Sequence, residues 1–111
     1  MNTKKEVRTM RLIRHGDVLL FERGFPQDAQ PLPQGWLLVP GENGHAHILS
    51  GLGMHVFKSR DGEPIIFVPQ KAKATIDHPE HGQVRIPPGI WGVRTQRRFD
   101  FRTSSSLPNP D

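Results

Sequence analysis

Met54-His55-Val56-Phe57-Lys58-Ser59-Arg60-Asp61-Gly62-Glu63-Pro64-Ile65-Ile66-Phe67-Val68 is the stretch on which the reading of the fold turns. Two short runs rich in β-branched and aromatic residues flank Ser-Arg-Asp-Gly. Asp-Gly supplies the positive-φ positions that a tight reversal needs, so the stretch predicts a β-hairpin. The same rhythm extends in both directions. Upstream lie the strand candidates Asp17–Glu22, Trp36–Val39 and His45–Leu49. Downstream lie Ala72–Ile76, Val84–Ile86 and Ile90–Arg98, the last continuing to Phe101. Eleven Pro and eleven Gly separate these runs, and no segment keeps apolar residues at helical spacing for three turns. The expectation is an all-β domain, a small antiparallel barrel or sandwich.

With 111 residues there is room for one core. Residues 1–14 read as a basic N-terminal arm, 15–102 as a single β domain and 103–111 as a disordered tail. Hydrophobic residues make up 34%, so the core is thin, and a thin core predicts support from a homo-oligomer, a bound ion or both. The absence of cysteine excludes disulfides, thiolate metal sites and a cysteine nucleophile, and fits a cytoplasmic setting. The N-terminus carries no apolar run of signal-peptide or membrane-spanning length, so no membrane association is expected. No phosphate loop, nucleophile elbow or Gly-rich dinucleotide fingerprint is present, which argues against phosphoryl and hydride transfer.

Six histidines are the main chemical feature, and four of them fall in two tight groups. In Gly44-His45-Ala46-His47 two imidazoles stand at i and i+2, which on a strand share one face. His78-Pro79-Glu80-His81 adds two more and a carboxylate where a strand gives way to a turn. Such a set suits a divalent ion (Zn, Fe, Mn or Ni), and three protein ligands leave a position open for water or a small-molecule ligand. The triad read from spacing is His45, His47 and His81, with His78 or Glu80 as a fourth ligand or Glu80 as a proton carrier. Glu42, just before the first pair, is a second candidate base. The hairpin group also reads as a polar turn capped by its own side chains. His55 and His15 read as structural or solvent-exposed.

A second constellation is basic. Trp91, Arg94, Arg97 and Arg98 lie close together near the C-terminus, and the net charge is +4. Arginines can contact phosphates and aromatic rings can stack on unpaired bases, so RNA or single-stranded DNA is an alternative partner. The competing reading is a solvated polar face over a buried aromatic one. A third reading is an assembly protein in which histidine pairs from several chains meet at one ion.

Gly41, His45 and His47, followed by Gly82, Pro87 and Gly89, resemble the motif pattern of the cupin superfamily. That resemblance implies a small β-barrel with a histidine-bound metal. Cupins carry a glutamate shortly after the second histidine, where this chain reads Ile48–Leu52. They also carry a final histidine three residues after Pro-x-Gly, where Gly92 stands here, so His81 would have to replace the missing ligands. The blocks Gly41–His47, His78–Gly82 and Pro87–Gly89 are also similar to small bacterial and phage proteins of unassigned role.

Overall fold

The structure is a computed structural model that describes residues 10–41 and 44–96. The described residues form ten strands and no helix. These are β1 (Leu12–His15), β2 (Val18–Glu22), β3 (Gln30–Pro31), β4 (Trp36–Pro40) and β5 (Ala46–Leu52). They continue as β6 (His55–Lys58), β7 (Pro64–Val68), β8 (Lys73–His78), β9 (Gly82–Ile86) and β10 (Gly89–Thr95). Two antiparallel sheets result, with strand orders β1-β2-β10-β7-β6-β3 and β4-β5-β8-β9. The all-β expectation holds, and the architecture is that of a small sandwich.

Alternation builds the core. Val18 and Leu20 of β2, Val56 of β6, Ile66 and Val68 of β7, and Trp91 and Val93 of β10 turn inward from the first sheet. Val39, Leu49, Ala74, Ile76 and Ile86 meet them from the second. At about 25 cal/mol per Å² of apolar area, each such side chain contributes roughly 1.5–3 kcal/mol on burial. The Ser59–Gly62 reversal is present as read. Ser59 N–H donates to Glu63 O, Gly62 N–H donates to Ser59 O, and Gly62 adopts φ +88°.

Other boundaries differ in instructive ways. β1 begins at Leu12, inside the stretch read as an arm, because Leu12–His15 pairs in register with Val18–Phe21. β5 runs on through Gly51, which sits opposite Ala74 of β8. β3 is two residues long and includes Pro31, below the length at which periodicity is visible. Residues 1–9, the expected continuation of the last strand to Phe101 and the tail 103–111 lie outside the described residues. So do the candidate residues Glu42, Arg97 and Arg98.

One sequence expectation is corrected by burial. Trp91 has no accessible surface and donates its Nε1–H to Pro87 O at 3.0 Å. It is a core residue, so it cannot stack on a base. Arg94 is exposed, bonds Glu63 at 2.8 Å and lies over the Phe21 ring. Within the described residues, this strand is a solvated face over a buried aromatic one. Among the described residues, no helix is long and apolar enough to cross a membrane.

Candidate metal centre

At one end of the sandwich the inner layer changes from aliphatic to imidazole. On β5 the inward row runs His47, Leu49; on β8 it runs Ala74, Ile76, His78. From the opposite sheet His15, at the end of β1, enters the same layer. His15, His47 and His78 are 3%, 0% and 8% exposed, so three imidazoles are buried side by side. The β8–β9 loop adds Glu80 and His81, both exposed at the rim.

Five of the six histidines therefore gather here. Ring centroids of His15, His47, His78 and His81 stand 4.4–6.4 Å apart across all six pairs. His45 lies outside that set, on the rim, 5.9 Å from the His78 ring and 3.9 Å from a Glu80 oxygen. Of the triad read from spacing, His47 and His81 are brought together at 5.9 Å. His45 joins through His78 and Glu80 instead. His55 is exposed and stacks on Phe67, away from the cluster.

One turn delivers residues that spacing alone did not reveal. Gly16-Asp17 forms the two-residue loop of the β1–β2 hairpin, with His15 paired to Val18 and Gly16 at φ +64°. This places His15 and Asp17 at the cluster. The signal was available: Gly-Asp between two pairing segments is a favoured two-residue hairpin loop. Gly16 is also needed for space. A Cβ there would stand 2.5 Å from His81 Nε2 and 3.1 Å from His47 Cε1. Gly41 does the same on the other side, where a Cβ would meet His47 Nε2 at 3.3 Å.

The hydrogen bonds fix which nitrogen does what. His15 Nε2 lies 3.0 Å from Gly82 O, which can only accept, so Nε2 carries the proton. His47 Nε2 lies 3.0 Å from Asp17 Oδ1, so a proton sits in that contact too. In the neutral rings the two Nδ1 atoms, 3.0 Å apart and facing each other, are then the lone-pair nitrogens. Burial is the largest influence on both rings and pushes each below the ordinary imidazole value. For His15 the Gly82 carbonyl opposes the shift, while His81 and His78 reinforce it. For His47 the hydrogen bond to Asp17 opposes it without reversing it.

His78 behaves differently. Its Nδ1 accepts the backbone N–H of Glu80 at 3.0 Å and of His81 at 3.3 Å, capping the turn as the polar-turn reading expected. The same hairpin also forms a group that can hold a metal ion. One ligand atom from each of His78, Glu80 and His81 lies within 4.8 Å of the others.

The chain belongs to the family described as Domain of unknown function (DUF8820), which matches residues 14–96. That span holds every histidine of the cluster together with Asp17 and Glu80. No curated protein and no solved structure matches the chain.

Proposed function

We propose that this protein binds one divalent transition ion in the histidine cluster and presents it to a small ligand at the rim. The observation that carries the reading is the gathering of the His15, His47, His78 and His81 rings, 4.4–6.4 Å apart between centroids, at a hairpin that brings Glu80 and His81 to ligating separation. Neutral imidazoles are ligands because they offer a lone pair, and burial holds His15 and His47 neutral. An imidazole-rich set with few carboxylates suits zinc, iron or nickel better than manganese, calcium or magnesium. The exposed side, at Glu80 and His81, leaves a coordination position open to water or a small molecule. On this reading the ion acts as a Lewis acid and Glu80, exposed at the rim, moves a proton.

The test is elemental analysis of tag-free protein dialysed against Zn, Ni, Fe and Mn salts, followed by thermal unfolding with and without each. One equivalent retained is expected. At a hundredfold excess over Kd, the bound ion adds about 2.7 kcal/mol of stability. Protein that retains no ion, and whose melting none of the four shifts, refutes the reading.

A further inference from the structure

His15 and His47 are oriented in the manner of ligands that share one ion. Each has its Nε2 tied to an acceptor, Gly82 O for one and Asp17 Oδ1 for the other, both at 3.0 Å. Each thereby aims Nδ1 at the same point. Metal-bound histidines characteristically donate the far ring N–H to a carboxylate or a backbone carbonyl, which sets the tautomer and the ring direction. Here one ring uses the carboxylate and the other the carbonyl. We infer that the ion sits in a buried position held by His15 Nδ1, His47 Nδ1 and His81 Nε2, with Asp17 and Gly82 O orienting the first two. This rests on the metal-binding reading above and names the atoms that carry it.

The nitrogen spacing of the first two rings and the centroid spacing of all three are close to those of a shared ion. Nitrogens about 2.1 Å from a tetrahedral zinc are roughly 3.4 Å apart, and their ring centroids roughly 5.3 Å apart. The two Nδ1 atoms are 3.0 Å apart. Centroids of the three rings are separated by 5.1, 5.8 and 5.9 Å. The His81 ring has its place beside them because residue 16 has no Cβ, which would stand 2.5 Å from His81 Nε2.

The hairpin group is less prepared. A neutral imidazole that ligates through Nε2 must carry its proton on Nδ1. In His78 that nitrogen already accepts two backbone N–H groups, so ligation through either nitrogen would break the cap. His15 and His47 keep both Nε2 anchors when an ion takes the place between their Nδ1 atoms. His78 is thus a structural residue of the turn, and Glu80 stands at the open face.

The experiment titrates Co(II) into wild type and into the His15→Gln, Asp17→Asn and His78→Gln variants, reading affinity and the visible bands. Asp17→Asn should weaken binding about 10–100-fold, the usual loss when a ligand loses its orienting partner. His15→Gln should weaken it more and shift the bands, because a nitrogen donor is lost. His78→Gln should leave the bands in place. Histidine ¹⁵N spectra of the zinc-loaded wild type supply a readout independent of any variant. Metal-shifted Nδ1 with protonated Nε2 is expected for residues 15 and 47. A His15→Gln protein matching wild type, with His78→Gln losing the ion, would overturn the buried position while leaving metal binding intact. If wild type itself binds no Co(II) or zinc, the proposed function fails with it.

Discussion

Replacing Gly16 by alanine separates the backbone demand of the β1–β2 turn from its role at the histidine cluster. Gly16 has φ +64°, a left-handed conformation that costs a residue with a Cβ roughly 1–2 kcal/mol. Gly62, in the β6–β7 turn, has φ +88° and offers a control, since a Cβ there would meet only Lys58 Cε at 3.9 Å. Both substitutions should therefore destabilise by a similar amount, with Tm falling about 4–8 °C per kcal/mol. Only Gly16→Ala should reach the site. Its Cβ would stand 2.5 Å from His81 Nε2, and ordinary contact begins at 3.4 Å, so the ring must retreat by about 0.9 Å. A metal–nitrogen bond tolerates about 0.2 Å, so the displaced ring ceases to ligate. Co(II) affinity should drop about 10–100-fold in Gly16→Ala and stay at the wild-type value in Gly62→Ala. Calorimetric titration of both proteins, with urea melts for stability, checks this. Equal affinity in the two variants would remove His81 from the coordination set.

Three further outcomes follow from the same geometry. Leu49 is fully buried between the sheets, so Leu49→Ala should lose about 2–5 kcal/mol, read as a lower urea midpoint at unchanged slope. His15 and His47 titrate below 6.5 in the folded chain, so the unfolded chain takes up protons first as pH falls. Their contribution is complete above pH 6.5 and lost progressively below it, so urea melts of metal-free protein should show lower stability at about pH 5.5 than at about pH 7.5. Glu63 bridges Arg23 and Arg94 at the surface, and Glu63→Gln should cost no more than about 1 kcal/mol in the same assay.

Period-two alternation made most of the fold legible. The strands β2, β4, β6 and β7 fall where Val-, Leu- and Phe-rich runs stand between glycine and proline punctuation. The exceptions have physical causes. Leu12–His15 is only four residues long, and its first and third residues are exposed, so its pattern is weak until β2 pairs with it. At the site, the two histidine groups of the sequence do converge, through β5 and β8 lying side by side in the four-stranded sheet. What spacing could not supply is the opposite sheet. His15 and Asp17 reach the cluster across the sandwich, thirty or more positions from His47, and a contact between sheets leaves no periodic trace in either strand. His45 shows the converse limit. The i, i+2 rule holds only inside a strand, and β5 begins one residue later, so His45 is left at the rim while His47 is buried.

The buried end of the cluster carries a single charge. Three contacts join Gly82 O, His15, His47 and Asp17. With each ring neutral and its proton on Nε2, the charge of this assembly is that of the Asp17 carboxylate, which accepts from His47. That hydrogen bond offsets part of the cost of placing a carboxylate at the end of an apolar core. A divalent ion held between the two Nδ1 atoms would leave the same assembly with an excess positive charge, because one carboxylate cannot balance two. Asp77 acts on His15 from β8. Glu80 is exposed at the rim and lies in the same hairpin as His81. A carboxylate at the open face thus has an electrostatic task at an occupied centre whether or not it touches the ion.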